Sequence, residues 1–150
     1  MPAAETAHEA LCLENQLCFP LYACAKEVVR RYKPLLDGLG LTYTQYIAMM
    51  ALWERRSLSV KDLGEMLYLD SGTLTPLLKK LEEKGYVLRS RSQEDERVLD
   101  VSLTPEGEAL REKAKSVPES MMSCLSMPPE DAAELARILR NLMGTLRGGR

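Results

Sequence analysis

"DSGTLTPLLKKLEEKGYV", residues 70–87, decides the fold of this chain. Asp70 or Ser71 can cap a helix here, because both residue types accept hydrogen bonds from the first free backbone N–H groups. Leucines then recur at three- and four-residue steps, which is typical of one buried helix face: Leu74, Leu77, Leu78 and Leu81. Pro76 lies within about two turns of the start, where proline is tolerated best. Gly85 ends the helix.

The segments on either side of this helix predict its neighbours. After it, "YVLRSRS" (86–92) and "VLDVSL" (98–103) alternate apolar and polar residues as strands do, and the polar "QEDER" (93–97) joins them into a hairpin. Before it, Ser59 can cap a two-turn helix over Val60 to Leu67. A helix, a turn, a second helix and a hairpin, in that order, form a winged helix-turn-helix.

Helices are also predicted before and after this unit. Residues 9 to 38 have helical periodicity, but Pro20 predicts a kink or a new helix start just after Cys18. Thr44 is predicted to cap a helix that is apolar almost all round and therefore buried. Thr104, followed by Pro105, begins another helix. Pro118 bends or breaks that helix, and a last helix starts near "PPED" (128–131).

The predicted fold is mainly α with a small β-hairpin. A winged helix-turn-helix over 42–104 is flanked by N- and C-terminal dimerisation helices, over 7–40 and 105–147, within a single domain of residues 1–150. The flanking helices have more apolar surface than one small domain can cover. A homodimer is therefore predicted, because a second copy would bury that surface.

The composition limits the classes of protein to which this chain can belong. The 150 residues are 45% hydrophobic and 28% charged, as in a globular domain. The N-terminus has no basic region before an apolar run, and no apolar run approaches the ~18 residues of a membrane helix, so a cytoplasmic protein without membrane partners is expected. A net charge of −2 argues mildly against nucleic-acid binding, so any DNA contact must come from local organisation.

The chain has four cysteines, Cys12, Cys18, Cys24 and Cys124, and in the expected reducing compartment these thiols do not form a disulfide framework. No C-x-x-C motif is present and His8 is the only histidine, so we expect no metal site and no cofactor. Six residues along a helix correspond to about 600° of rotation, so the first three cysteines face different directions. Each of these cysteines could instead be a small buried side chain that packs in the core.

Four motifs match a known family. They are "LENQLCFPLYA" (13–23), "YKPLLDGLGLTYTQYIAMMALWE" (32–54), "LYLDSGTLTPLLKKLE" (67–82) and "RSQEDERVLDVSLTPEG" (91–107). From about Ala7 to Leu146 the chain resembles the MarR family of winged-helix regulators, and more narrowly the OhrR-type sensors of organic hydroperoxides. The cysteine of "LENQLC" together with "DSGTLTPLLKKLE" is the specific part of this match.

The resemblance implies a dimeric repressor in which Cys18 is the peroxide-reactive thiol. Tyr32 and Tyr43 occupy the positions of tyrosines that hydrogen-bond that cysteine in the family, and such bonds favour the thiolate. Cys124 is placed like the second cysteine that forms an intersubunit disulfide in some members, while others use a small thiol. Pro20 departs from the family pattern. Without the resemblance, the tyrosines are equally compatible with core residues whose hydroxyls reach water.

We expect the sensing site to include an apolar pocket. Phe19 and Tyr22 would join Tyr32, Tyr43 and nearby Met or Leu side chains, and apolar contacts would favour organic peroxides over hydrogen peroxide. Cys12 and Cys24 are interpreted as structural, packing residues.

The same resemblance assigns a DNA surface. The helix from Ser71 to Lys84 would enter the major groove, with Ser71, Thr73 and Thr75 near base edges or phosphates and Lys79 and Lys80 on phosphates. In the hairpin, Arg89 and Arg91 could reach the backbone. Arg97, braced by Asp95, would enter the minor groove. The alternatives are a solvated helix face and an exposed Asp95–Arg97 ion pair worth ~0–1 kcal/mol.

The predicted function is a redox-sensing repressor rather than an enzyme. Its predicted partners are double-stranded operator DNA, a second copy of the chain, organic hydroperoxides and small-molecule thiols. One alternative is a repressor released by a small phenolic ligand, with Cys18 incidental. A thiol peroxidase is disfavoured, because no base or arginine lies near Cys18 in the sequence and the hairpin would have no role.

Overall fold

The computed structural model describes residues 8–148. Ala7, with which the predicted N-terminal dimerisation part begins, and the residues before it lie outside the described part, as do residues 149 and 150. The chain forms two compact units, with the boundary between Lys115 and Ser116.

The first long helix, α1, spans Cys18–Asp37 and follows a single 3-10 turn at Leu13–Asn15. The new helix start predicted from Pro20 is thus confirmed, but the helical stretch expected from residue 9 is not continuous. Proline is accommodated in a first turn because the N–H it lacks would have no intrahelical partner there. The chain then turns through Gly40, whose φ of +66° favours glycine.

Helix α2, Tyr43–Arg55, is capped by Thr42, so the prediction of Thr44 as the cap is wrong. The Thr42 Oγ1 accepts from the Gln45 N–H at 3.3 Å, and the Gln45 Oε1 accepts from the Thr42 N–H at 3.1 Å. Only Thr42 has a Gln three positions later to form this reciprocal pair. The predicted burial of the helix is confirmed, since seven of its side chains are buried.

The winged helix-turn-helix follows. Its elements are β1 (Ser57–Ser59), α3 (Val60–Leu67), α4 (Ser71–Glu83), β2 (Val87–Arg91) and β3 (Leu99–Leu103). The strands form an antiparallel sheet in the order β1-β3-β2. The predicted hairpin is confirmed, whereas β1 was not predicted, because three residues are too short for a clear alternation. Asp70 caps α4 and the whole leucine stripe is buried, as predicted.

Helix α5, Pro105–Ala114, closes the first unit with the predicted Thr104 cap. The Thr104 Oγ1 also donates to the Gly85 carbonyl at 2.6 Å, and the Trp53 Nε1 donates to the Gly107 carbonyl at 2.9 Å. A Cβ on Gly107 would lie 2.1 Å from the Tyr86 carbonyl oxygen, so only glycine fits there. These contacts fix α5 against the start of β2 and the end of α2.

The second unit contains α6 (Val117–Leu125) and α7 (Pro129–Gly148). The breaks predicted at Pro118 and near Pro129 are confirmed. Helix α7 buries none of its side chains, and its apolar residues Leu135, Ile138, Met143 and Leu146 are exposed. None of the helices within 8–148 is long and apolar enough to cross a membrane.

Candidate redox site and DNA-reading surface

Cys18 is the first residue of α1, and its side chain is exposed. Leu17, the residue before it, provides no side-chain cap for the helix. The first N–H groups of a helix form a partially positive end, which favours a nearby anion. Cys18 therefore lies at the start of a helix, where a small oxidant can reach its thiol.

Three tyrosines form a cluster at the other end of α1. The ring centroids of Tyr32 and Tyr43 lie 4.9 Å apart, and those of Tyr32 and Tyr46 lie 5.8 Å apart. Burial raises the pKa of all three phenols, and the neighbouring phenols Tyr43 and Tyr46 raise the pKa of Tyr32 further. The hydroxyls therefore stay protonated at neutral pH and remain hydrogen-bond donors.

One chain cannot bring Cys18 to these tyrosines. Cys18 and Tyr32 lie on the same helix, fourteen residues apart, which corresponds to about 21 Å along its axis. The expected pocket that joins Phe19 and Tyr22 to Tyr32 and Tyr43 therefore does not form within a single chain. The physical reason is that α1 separates Cys18 at its start from Tyr32 near its end.

An open cleft of about 280 Å³ lies beside the tyrosine cluster. It is lined by Val29, Arg30, Lys33, Leu36, Asp37, Leu41, Thr42 and Tyr43. Its rim contains an ion pair in which the Lys33 Nζ lies 3.0 Å from the Asp37 Oδ1. The cleft combines apolar walls with a rim that includes two basic side chains, Arg30 and Lys33, each paired with a carboxylate.

Cys12, Cys24 and Cys124 are also exposed. The interpretation of Cys12 and Cys24 as packing residues is therefore not met within the single chain, where both side chains are exposed. In the described part of the chain, no group of three or more His, Cys, Asp or Glu residues could hold a metal ion.

The predicted major-groove residues share one exposed face of α4. The Asp70 Oδ1 accepts from the Thr73 N–H at 2.8 Å and fixes the first turn. The predicted DNA-contacting side chains of α4 are all exposed on the side away from the buried leucines: Ser71, Thr73, Thr75, Lys79 and Lys80. Hydroxyls near the start of the helix and ammonium groups farther along can hydrogen-bond a nucleic acid there.

The hairpin tip presents Arg97, whose side chain is 92% exposed. The Asp95 Oδ1 accepts from the Arg97 backbone N–H at 3.0 Å and from its Nε at 3.2 Å, so the expected contact between the two is present. Arg91 is exposed on β2. Arg89 differs from both, because the Glu82 carboxylate holds it.

Two contacts of α4 were not predicted. Glu82 accepts from Arg89, and the Lys84 Nζ donates to the Gly40 carbonyl and, at 3.4 Å, to the Gln45 Oε1. Lys84 thereby joins the end of α4 to the loop that precedes Tyr43. The Lys84 contacts join residues about 40 positions apart, and the Glu82–Arg89 contact crosses the turn from helix to strand, so no periodic pattern within one element reveals either.

An exposed polar helix face beside a hairpin with an exposed arginine at its tip defines a winged-helix DNA-binding protein. A family model described as "Transcriptional regulator SarA/Rot" matches residues 30–116. The organic hydroperoxide resistance transcriptional regulator of Bacillus subtilis strain 168 is 49% identical over 95% of this chain and 97% of its own length.

Two solved structures of AbfR, a protein of Staphylococcus epidermidis, are also similar. The structure of reduced AbfR bound to DNA has a TM-score of 0.76 and 34% identity, and covers 95% of this chain and 99% of that one. The structure of disulfide-formed AbfR has a TM-score of 0.62 and 35% identity, and covers 97% of each chain.

The chain belongs to the MarR-type winged-helix transcriptional regulators, in the group of organic hydroperoxide resistance regulators. It is therefore a DNA-binding regulator and not an enzyme, which confirms the family and the fold predicted from the sequence.

Proposed function

We propose that the protein is a repressor that binds operator DNA as a reduced homodimer and releases it when an organic hydroperoxide oxidises Cys18. The observation that supports this most is the exposed Cys18 thiol at the positive end of α1. A thiol in that position is accessible to a small oxidant, as a sensing cysteine must be. The B. subtilis relative, named for organic hydroperoxide resistance, supports the choice of oxidant.

A dimer accounts for surface that one chain leaves uncovered. Leu17 is 82% exposed and Leu146 is 66% exposed, and other large apolar side chains of α1 and α7 are exposed as well. Exposed large apolar side chains in such number indicate an interaction site on each of these helices. A second copy would cover it, and the partner subunit's Tyr32 and Tyr43 would then donate hydrogen bonds to the Cys18 thiolate.

The proposed reaction conserves atoms and electrons. The Cys18 thiolate attacks the terminal peroxide oxygen and the O–O bond breaks, so Cys18 becomes a sulfenic acid and the alkoxide that leaves takes a proton from water to give the alcohol. The partner subunit's Cys124, or a small-molecule thiol, then attacks the sulfenic sulfur and releases water, which leaves a disulfide. The solved disulfide form of AbfR supports the first of these end states.

The reduced dimer would read two half-sites. Two copies of α4 would enter successive major grooves about 34 Å apart. There Ser71, Thr73 and Thr75 would meet base edges or phosphates, and Lys79, Lys80 and Arg91 would bind phosphates. Arg97, held by Asp95, would enter the minor groove at each end. The site of action would be the cytoplasm, where the operator is.

The direct test measures DNA release by fluorescence anisotropy as cumene hydroperoxide is added. Wild-type protein should release its DNA at about one equivalent of peroxide per chain, whereas Cys18→Ser should stay bound. Cys24→Ser is the matched control, because Cys24 is also exposed on α1. Release from Cys18→Ser at the wild-type rate would contradict the proposal.

The end state is tested separately with a non-reducing gel and intact-mass measurement after the same treatment. A cross-linked dimer that Cys124→Ser abolishes would establish the intersubunit disulfide. A monomer with a small-thiol adduct on Cys18 would assign a one-cysteine mechanism and leave Cys124 without a redox role.

The cleft beside Tyr43 favours a second candidate, a repressor released by a small phenolic acid. The two basic side chains at its rim and its apolar walls suit such a ligand. Salicylate would then release DNA from Cys18→Ser protein in the absence of peroxide, whereas a pure peroxide sensor would not respond to it.

A further inference from the structure

Glu82 and Arg89 join the reading helix to the hairpin. The Glu82 Oε2 accepts from the Arg89 backbone N–H at 2.9 Å and from its Nε at 3.3 Å. The Arg89 side chain is only 22% exposed, whereas Arg91 on the same strand is exposed. These hydrogen bonds lower the pKa of Glu82, which keeps the carboxylate ionised at neutral pH.

The backbone hydrogen bond matters because β2 is the edge strand of the sheet. Arg89 is paired with Val101 of β3 on one side only. The Glu82 carboxylate therefore supplies the acceptor that a further strand would otherwise supply, and it does so from the last turn of α4. One carboxylate thus connects the helix to the hairpin through both a main-chain and a side-chain contact.

This contact lies away from the residues expected to meet bases. Glu82 follows Ser71 by eleven residues, or about 16 Å along α4. A guanidinium held at that end of the helix is poorly placed for the groove that the helix start enters.

We propose that Glu82 and Arg89 act as a positioning pair, which sets the hairpin against α4 so that Arg97 and the start of α4 engage one operator together. Arg89 then affects which DNA sequence is preferred because it helps to position the hairpin, and not because it binds a phosphate. The proposal rests on the operator contacts proposed above.

The test uses full-length reduced protein and a duplex that the wild-type protein enriches from a random-sequence library, compared with a scrambled duplex. Peroxide is absent, so the result does not depend on whether Cys18 senses it. The variants are Glu82→Ala, Glu82→Gln and Arg89→Gln, and the matched controls are the exposed neighbours Glu83→Gln and Arg91→Gln. For each, Kd is measured over a range of salt concentrations.

If the two residues act as a positioning pair, Glu82→Ala and Arg89→Gln should each reduce the preference for the selected duplex by about tenfold, which is the usual effect of losing one specific contact. Their salt dependence should match the wild type. Glu82→Gln keeps an acceptor oxygen and should lose less. Glu83→Gln should leave the preference intact, whereas Arg91→Gln should lower the salt slope by about one.

Two results would overturn the inference. Tighter binding by Glu82→Ala than by Glu83→Gln, or a salt slope lowered by about one in Arg89→Gln, would make Arg89 a phosphate contact that Glu82 restrains. The double variant Glu82→Gln/Arg89→Gln should lose no more than the worse single variant, and additive losses would show that the two residues act separately. Unfolding curves confirm that each variant is folded.

Discussion

Two parts of this chain differ in how complete they are. The reading part is the winged helix-turn-helix, and the sensing part comprises α1 and the other helices expected to form the dimer. The winged helix-turn-helix has a closed core, in which Leu78 and its neighbouring leucines are fully buried. The sensing part has Cys18 at one end of α1 and Tyr32 near the other, and its helices expose large apolar side chains. One chain therefore suffices to build the DNA-reading surface, whereas the proposed peroxide site needs two.

This difference suggests how a signal could reach the DNA. A site assembled from two copies is sensitive to how those copies are arranged, and the spacing of two reading helices depends on the same arrangement. Oxidation at the shared site can then change DNA affinity without altering either folded reading part.

The largest effect is expected from a substitution in the closed core of the winged helix-turn-helix. Leu78→Ala should lower the free energy of unfolding by about 2–5 kcal/mol, because it leaves a cavity at a fully buried position. Leu146→Ala should act on dimer dissociation instead, so its effect on urea denaturation should fade as protein concentration rises. Equal, concentration-independent losses for both variants would contradict the proposed distinction.

The next largest effect is expected at the proposed peroxide site that two chains share. Combining Tyr32→Phe with Tyr43→Phe should slow peroxide oxidation of Cys18 by roughly 10–100-fold at neutral pH, since a hydrogen bond to a charged group contributes about 1.5–3 kcal/mol. Tyr86→Phe, in the reading part, serves as the control in stopped-flow thiol measurements. An unchanged rate in the double variant would remove the tyrosines from the mechanism.

A smaller effect tests the hairpin tip. Arg97→Ala should weaken operator binding by about 1–3 kcal/mol and lower the salt slope by about one. Asp95→Asn should cost less than about 1 kcal/mol, because it only loosens an exposed arginine that stays charged. Anisotropy titrations at several salt concentrations distinguish the two, and a larger loss from Asp95→Asn would give Asp95 a role beyond bracing.

The smallest effect concerns the tyrosine cluster at high pH. Burial raises the pKa of Tyr43 above its ordinary value of 10.0, so the folded state holds that proton more tightly than the unfolded state does. The resulting stabilisation is fully present below pH 10 and is lost as the pH rises through the folded value. Urea denaturation should therefore show a loss of stability above about pH 10 that is smaller in Tyr43→Phe than in Tyr22→Phe. An equal loss in both would contradict this.

The sequence predicted the reading part well, because its signals are local. The leucine stripe, the Asp70 cap and the glycine at position 85 all act within one helix, and alternation over the hairpin strands is equally local. The wrong cap at Thr44 differs from the observed one by two residues, since both threonines precede an apolar run. Strand β1 is too short for a period, and its pairing with β3 is long-range.

The sensing part could be predicted only through the family resemblance. Pro20 indicated the helix start near Cys18, but spacing alone did not indicate that its thiol is exposed, that the ring centroids of Tyr32 and Tyr43 lie 4.9 Å apart, or that Cys12 and Cys24 are uncovered. These properties depend on which surfaces meet in three dimensions. The Glu82–Arg89 pair was missed for the same reason.

The most direct test of the shared site is a mixed dimer of a Cys18→Ser chain and a Tyr32→Phe/Tyr43→Phe chain, purified through two different tags. Each homodimer should react slowly or not at all with an organic hydroperoxide. If the site is built from two copies, the mixed dimer contains one intact site, and half of the wild-type thiol equivalents should oxidise at the wild-type rate. Oxidation of the mixed dimer at only the slow rate of the tyrosine variant would show that the thiol and its tyrosines belong to the same chain, and would contradict the account.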